Sequence, residues 1–268
     1  MYAREISSVA PVLSCLLMIS VFGTLGICSV LKVRVRLSDG LIAEEILEAN
    51  SEKDTITVEY KQGDGTHNTV VFDFKRDVRI VRALILGEPE RGQTQYQVLC
   101  FVSRLNHHEI IPTESMVHLR QKNPHLVRTA EERRGLEHLH MDMAVNVSHA
   151  GHLNTLIHNV CQGAHEGFYI RKSDWLDKET TEFEPLLQIA DAIGLRRCPS
   201  TLDLWQPCMC SYRLHLEWIP CLLKYCHSRR DTAGRANPYK CGIRSCSQGY
   251  RFDYHVPHRL LCPWDEET

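Results

Sequence analysis

The chain has 268 residues, with 31 Lys and Arg against 33 Asp and Glu and a formal net charge of −2 at neutral pH. Because these charges nearly cancel, the chain as a whole lacks the positive field that favours nucleic acid or anionic membranes, and neither is predicted as a partner. The unusual feature of the composition is its 12 cysteines.

The N-terminal segment, residues 1–29, is predicted to be a cleaved secretion signal. From Val9 to Val30 the chain is almost entirely apolar, and Gly23, Gly26 and Ser29 supply the small residues that a signal-peptidase site needs. The alternative is an uncleaved anchor, because the apolar run is long enough to span a membrane. After cleavage we expect a secreted, extracellular chain with no stable membrane insertion.

The cysteines are concentrated in the tail of the chain. Removal of Cys15 and Cys28 with the signal leaves ten, of which eight lie between Cys198 and Cys262. Their C-x-C and C-x4-C spacings lie at or beyond the edge of the usual zinc range, and an oxidising compartment favours disulfides, so no metal is predicted. The predicted disulfide cysteines are Cys100, Cys161, Cys198, Cys208, Cys210, Cys221, Cys226, Cys241, Cys246 and Cys262.

The pairing of the tail cysteines stays open from the sequence, with one restriction. Cys208 and Cys210 lie two apart, a separation with poor geometry for a bridge between them. We therefore expect each of them to bond a different partner.

Residues 30–170 are predicted to form an α+β domain. Val33 and Val35 alternate with basic residues, which is typical of a half-buried strand, and further strand patterns follow. A helix is predicted after Pro112 and a closing helix over Leu153–Cys161. Short strands combined with helices in one region favour an antiparallel sheet with helices packed on it.

Two further segments complete the predicted domain organisation. Residues 171–196 are acidic, show little structural pattern and are predicted to be a linker. Residues 197–268 contain few long apolar runs and cannot fold on hydrophobic burial alone. They are therefore predicted to form a disulfide-rich module.

The β region and the tail together resemble the out at first family of secreted animal proteins. The resemblance covers nearly the whole mature chain and implies a secreted location, but it implies little about activity. The segments that carry it are Glu109-Ile110-Ile111-Pro112, Gly135-Leu136-Glu137-His138-Leu139-His140-Met141-Asp142, Trp218-Ile219-Pro220-Cys221, Lys224-Tyr225-Cys226-His227-Ser228-Arg229, Pro238-Tyr239-Lys240-Cys241-Gly242-Ile243-Arg244-Ser245-Cys246 and Cys262-Pro263-Trp264-Asp265-Glu266.

Within that span, residues 72–161 resemble a BRICHOS domain. This second resemblance implies a disulfide between Cys100 and Cys161, an antiparallel sheet flanked by two helices, and chaperone-like binding of extended, β-prone segments. The predicted fold class is therefore α+β, a BRICHOS-like sheet with flanking helices followed by a small disulfide-rich module. The matching positions are Phe72-Asp73-Phe74, Cys100-Phe101-Val102, Leu105-Asn106, Pro112 and Cys161.

Asp73 and Asn146 are the remaining candidate sites. Asp73 is the acidic position of the BRICHOS-like pattern; facing inward, its carboxylate would be costly to ionise and would form a pH-sensitive element, whereas simple alternation would place it in solvent. Asn146 begins the only N-x-S/T sequon of the chain and is a glycan acceptor in a secreted protein. His138 and His140 fall on one face of a strand and are interpreted as exposed residues rather than metal ligands.

The sequence contains none of the common catalytic motifs, including G-x-S-x-G, H-E-x-x-H and the phosphate-binding loops. We therefore predict a protein with no enzymatic activity and no cofactor. The leading hypothesis is a secreted protein whose sheet binds an extended polypeptide, as a chaperone-like client or an interaction partner. The alternative is a ligand or modulator that presents the cysteine-rich module to a receptor or to the matrix.

Overall fold

The computed structural model describes residues 28–37, 39–87, 96–147, 155–164, 167–174, 187–188, 196–227 and 238–262. Strands contain 57 % of these residues and helical segments 11 %, so the fold is mostly β. The predicted α+β class is wrong, and so is the BRICHOS-like sheet with two flanking helices. The strands are β1 (Cys28–Arg36), β2 (Ile42–Asn50), β3 (Thr55–Lys61), β4 (His67–Asp73), β5 (Val78–Ile85), β6 (Gln97–Arg104), β7 (Val127–Arg128), β8 (Glu132–Met141), β9 (Met143–Val145), β10 (Phe168–Ile170), β11 (Leu187–Gln188), β12 (Cys208–His227) and β13 (Pro238–Val256).

The helices of the described residues are short. They are α1 (Thr113–Met116), α2 (Thr155–Val160) and single 3-10 turns at Lys172–Asp174, Cys198–Ser200 and Arg259–Leu261. A helix of one or two turns covers too little area to bury one face of a long sheet. No helix in the described ranges has the length and apolar character needed to cross a bilayer.

Ten strands form the first sheet, in the order β11-β9-β10-β6-β5-β4-β3-β2-β1-β7. Strands β1 to β6 are consecutive antiparallel neighbours. β1 shows the alternation predicted from the sequence, since Val33 and Val35 are buried while Lys32 is exposed. Gly40 and Gly65, with φ of 88° and 93°, lie in the turns after β1 and β3, where a side chain would be strained.

Three strands form the second sheet, in the order β12-β13-β8. β12 and β13 make a long antiparallel hairpin, and β8 joins β13 in parallel. β8 belongs to residues 30–170, whereas β12 and β13 belong to residues 197–268. The two regions that the sequence separates into domains therefore share one sheet.

The two sheets face each other across the larger hydrophobic core. Phe101 of β6 stacks on Phe252 of β13 with ring centroids 4.3 Å apart, and Tyr254 meets the same ring edge-on. A smaller core lies on the opposite face of β5 and β6, around Ile80 and Ile157, where α2 packs. β5 and β6 are thus buried on both faces, which explains why their sequences are almost continuously apolar.

The β12–β13 hairpin takes the place that the prediction gave to helices. Alternate residues of β12, including Tyr212, Leu214 and Leu216, are buried against the first sheet. Because a half-buried strand satisfies the same demand for apolar cover as an amphipathic helix, the first sheet needs no helix on this face.

Candidate functional site

A buried arginine, Arg79, lies at the centre of a polar cluster between the two sheets. Its side chain projects from β5 and is 1 % exposed. Its Nη1 donates to both carboxylate oxygens of Glu109, at 2.8 and 2.9 Å, and to Glu137 at 3.2 Å, while its Nε donates to the hydroxyl of Ser103 at 3.2 Å. A buried charge is tolerated only when it is paired and hydrogen-bonded. The cluster supplies that compensation from three separate segments, and a fourth follows from β13.

Tyr250 closes the cluster from β13. The guanidinium carbon of Arg79 lies 4.4 Å from the centroid of its ring, a cation–π contact, and the Tyr250 hydroxyl donates to Glu109. Burial opposes the charge on Arg79, but Glu109, Tyr250 and Glu137 raise the pKa of the guanidinium above its usual value. Burial and the neighbouring Glu109 raise the pKa of Tyr250. Arg79 is therefore charged and Tyr250 is a neutral donor.

A bulge in β8 turns side chains toward this cluster. The register of β8 against β13 shifts next to Gly135, which has a φ of 81°. Such bulges bend a strand and re-aim its side chains. On one side of Gly135, Arg134 Nη1 donates to the carbonyl oxygens of His108, at 2.9 Å, and Glu109, at 3.3 Å. On the other side, Glu137 reaches the buried guanidinium.

An open polar cleft of about 480 Å³ lies over the cluster, beside β8. Two of the segments that carry the family resemblance meet here, the one that begins at Glu109 and the one that begins at Gly135. The lining offers hydrogen bonds and ion pairs. The lining residues are Asn106, His108, Glu109, Glu132, Arg134, Glu137 and Gln248.

A second charged cluster surrounds Asp253 of β13. Arg197 donates to both of its oxygens, at 2.8 and 2.9 Å, and Arg251 Nε reaches it at 3.2 Å. His138 of β8 hydrogen-bonds the same carboxylate. Burial alone would raise the pKa of Asp253, but the hydrogen bonds from Arg197, Ser211 and His138 hold it well below its usual value. The cluster ties the start of the tail to β8 and β13.

Five disulfides join ten of the eleven described cysteines. Cys100–Cys161 connects β6 to the end of α2, which is the pairing that the BRICHOS resemblance implies, although the surrounding fold differs. Cys208 and Cys210 bond different partners, as their spacing led us to expect. The pairs are Cys100–Cys161, Cys198–Cys208, Cys210–Cys262, Cys221–Cys246 and Cys226–Cys241.

Asp73 is buried at the end of β4, but its surroundings are polar. Its carboxylate accepts the backbone N–H groups of Lys75, at 3.0 Å, and Arg76, at 3.1 Å, and pairs with Arg76 Nη1 at 3.0 Å. Asp73 therefore lies neither in an apolar environment nor in solvent, the two alternatives that the sequence left open. Asp73 anchors the turn between β4 and β5.

The other predicted positions are partly described. Asn146 is exposed just after β9, and the last residue of its sequon lies outside the described residues. His140 is exposed on β8. His138, two residues before it, hydrogen-bonds the carboxylate of Asp253. Residues 1–27 of the predicted signal, and most of the predicted linker, also lie outside the described ranges.

Arg79 and Tyr250 are not among the site residues predicted from the sequence. Arg79 could have been found from its position inside the apolar run that forms β5, because a charge in a buried strand requires a partner. The identity of that partner was not readable, since Glu109 lies 30 residues further along and Tyr250 another 141 residues beyond it.

These features define a class of protein with two packed β-sheets, five disulfides and an open polar cleft beside an edge strand. Two family profiles match the chain: one described as Out at first over residues 29–177, and one described as Out at first, C-terminal, over residues 197–266. The chain belongs to the out at first family.

Curated relatives agree with this assignment. The chain is 35 % identical to the Out at first protein of Drosophila virilis over 251 residues, which cover 88 % of this chain and 82 % of the fly protein. It is also 35 % identical to the Out at first protein of Drosophila melanogaster over 254 residues, covering 89 % of this chain and 52 % of that protein. No solved structure matches the chain.

Proposed function

We propose that this protein is secreted and non-enzymatic and that it binds an extended polypeptide along the outer edge of β8. The observation that carries the proposal is the position of β8. It is the last strand of the second sheet among the described residues, so its outer backbone edge has no strand partner. Such an edge can accept another strand through backbone hydrogen bonds.

The side chains along β8 support a recognition role. Leu136 is 57 % exposed, and His138 and His140 also face solvent. The polar cleft lies beside the same strand, with Arg134 and Glu137 at its rim. An added strand would gain affinity from its backbone and specificity from side chains that enter the cleft.

The buried clusters hold β8 in its extended form before a partner arrives. Glu137 is tied to Arg79, and His138 is tied to Asp253. Preorganisation of this kind lowers the conformational entropy that binding must overcome. The five disulfides support the secreted location, because such bonds persist in oxidising compartments.

A second candidate function is binding to a receptor or to the matrix through the tail. It is favoured by an exposed apolar group near the start of the tail, where Leu202 is 97 % and Trp205 is 68 % exposed and Leu204 and Leu260 are also exposed. Exposed apolar side chains that cluster are typical of interaction surfaces.

Fibril formation by a β-prone peptide tests the proposal. The full secreted chain is expected to slow fibril growth at an equimolar ratio, and Leu136→Asp is expected to weaken this effect because a charge on an edge strand disfavours strand addition. Leu222→Asp, at an exposed leucine of β12, is the matched control. An unchanged fibrillation curve with the wild-type chain would contradict the proposal and favour the tail surface.

A further inference from the structure

Three buried polar side chains form a row across the first sheet, on the face that β12 covers. Glu45 of β2 pairs directly with Tyr60 of β3, and Tyr60 pairs with Asn68 of β4, so the three side chains project to the same side. All three are buried, with exposures of 0, 4 and 1 %. The row lies on the β12 side of the second sheet, away from β8.

Each member of the row has one polar atom without a partner among the described residues. Glu45 Oε1 accepts the backbone N–H of Glu217 at 2.9 Å, and Asn68 Oδ1 accepts the hydroxyl of Tyr212 at 2.7 Å. Glu45 Oε2, the Tyr60 hydroxyl and Asn68 Nδ2 make no hydrogen bond of normal geometry to any described residue. Buried polar atoms of native proteins are nearly always paired, so three together call for an explanation.

A pocket of about 200 Å³ opens from solvent onto Tyr60. Its lining carries the carboxylates of Asp39, Asp64 and Glu217, and none of the described lining residues is Lys or Arg. His215 also lines it, with Nδ1 3.3 Å from the Glu217 carboxylate. An acidic mouth that leads to the buried Tyr60 hydroxyl, whose cross-strand neighbour is Glu45, attracts positive charge.

The spacing of these groups selects the kind of cation. Ca²⁺ holds its oxygen ligands at about 2.4 Å, so the ligand atoms lie close to one another. No three carboxylate or imidazole atoms of this pocket lie within 4.8 Å of one another; the described group that meets this distance consists of three disulfide-bonded cysteines. The wider spacing fits an organic cation with several N–H donors.

We propose that this pocket binds an ammonium or guanidinium group, from a basic side chain of a polypeptide or from a free small amine. The cation would enter between Asp39, Asp64 and Glu217 and donate to the Tyr60 hydroxyl, next to the buried Glu45 carboxylate. This site goes beyond the proposed binding at β8, since none of its groups belongs to that strand.

Binding at this site is coupled to a proton. Burial raises the pKa of Glu45 to about 8, and the N–H groups of Glu217 and Trp218 offset this only in part. Glu45 faces Tyr60 on β3 and the Glu217 carboxylate and Trp218 N–H on β12, while its β1 neighbour is the apolar Val33. Tyr60 in turn lies near Tyr212 and His215 of β12. A bound cation favours the carboxylate over the neutral acid, so binding releases a proton and tightens as the pH rises toward 8.

Titration of the full chain with butylguanidinium tests the proposal, with neutral butylurea as the matched ligand. The dissociation constant is expected to fall about tenfold between pH 6 and pH 7, because both lie below the pKa of Glu45. Glu45→Gln should abolish this slope and Tyr60→Phe should weaken binding several-fold. Glu44→Gln, on the exposed face of the same strand, should change neither.

Two further arms complete the experiment. His215→Asn should keep the pH slope, and a capped Gly-Arg-Gly peptide should bind more tightly than butylguanidinium if the natural cation is a side chain. Weaker peptide binding would identify a free amine as the ligand class. The proposal would be overturned if butylurea bound as tightly as butylguanidinium. It would also be overturned if the pH dependence of the dissociation constant survived Glu45→Gln and disappeared in His215→Asn. A failure of polypeptide binding at β8 would leave it untouched, because that strand contributes no group to this pocket.

Discussion

Glu109 holds Arg79 with both of its carboxylate oxygens, 2.8 and 2.9 Å from Nη1, at a position where the arginine is almost completely buried. This ion pair joins β5 to the segment before α1, and Glu137 and Tyr250 extend it to β8 and β13. Through Glu137 and Tyr250, the pair therefore connects the two sheets by polar contacts that are largely buried.

Removal of one partner from this pair is predicted to be costly. Glu109→Ala would leave the Arg79 guanidinium buried with only Glu137 as a counter-charge, and we expect the free energy of unfolding to fall by about 3–5 kcal/mol. Urea denaturation of the purified chain measures the loss.

Two variants show whether the cost comes from the buried charge. Glu132→Ala removes a carboxylate from the rim of the same cleft, where ion pairs are half-exposed, and should cost less than about 1 kcal/mol. Combining Glu109→Leu with Arg79→Met should recover much of the stability lost in Glu109→Ala, since no buried charge remains and Glu137, which loses its partner, is half-exposed. A double variant less stable than Glu109→Ala would contradict this account.

The strands of residues 30–105 were largely predictable, because alternation in β1 and the turn at Gly40 are local signals. The β12–β13 hairpin that packs on this sheet was not predictable. β12 and β13 contain apolar residues at alternate positions, but the eight cysteines from Cys198 to Cys262 directed the interpretation to a small separate module. Pairing of β8 with β13 joins residues more than one hundred positions apart, and no local pattern reports such a contact.

Some residues of the candidate sites could also be predicted from the sequence, and others could not. The cysteines were identified as disulfide partners, and the family segments at Glu109 and Gly135 were noted, because both are readable along the chain. Arg79, Tyr250 and the row beginning at Glu45 were missed. Their roles depend on cross-strand neighbours and on burial between the sheets, which follow only from the tertiary packing.

Asp253 is predicted to make stability depend on pH in the acidic range. Hydrogen bonds from Arg197, Ser211 and His138 lower its pKa in the folded state. The stabilisation is therefore present above the unfolded-state pKa, about 3.9, and is lost as the pH falls through the lower folded-state value. The urea midpoint should drop between pH 5 and pH 2.

Asp253→Asn is predicted to flatten this part of the stability–pH profile and to lower stability near neutral pH, because the amide cannot pair with Arg197. Glu59→Gln, at an exposed position of β3, is the matched control and should reproduce the wild-type profile. A wild-type profile in the Asp253→Asn chain would exclude the role assigned to this carboxylate.

The disulfides are predicted to contribute unequally. Cys100–Cys161 closes a separation of 61 residues, and its removal should cost about 4 kcal/mol in the chain-entropy account. Cys226–Cys241 closes 15 residues inside a hairpin that Cys221–Cys246 already clamps, so its removal should cost clearly less than about 3 kcal/mol. Denaturation of the two double-alanine variants compares them, and an equal loss would contradict the argument.

Two disulfides of the tail lie close enough to exchange. Cys198 Sγ, bonded to Cys208, is 3.4 Å from Cys210 Sγ, which is bonded to Cys262. In a Cys208→Ser chain the Cys198 thiolate can attack Cys210, forming Cys198–Cys210 and releasing the Cys262 thiolate. The step exchanges one disulfide for another with no net oxidation.

Peptide mapping of that variant, after alkylation in the folded state at pH 8, is predicted to find the label on Cys262 as well as on Cys198. Cys226→Ser is the control, because the liberated Cys241 lies five residues from Cys246 along one strand, about 16 Å away. Its label should stay on Cys241. A label confined to Cys198 in the Cys208→Ser chain would show that burial of the tail sulfurs prevents the thiolate from reaching the neighbouring disulfide, despite their separation.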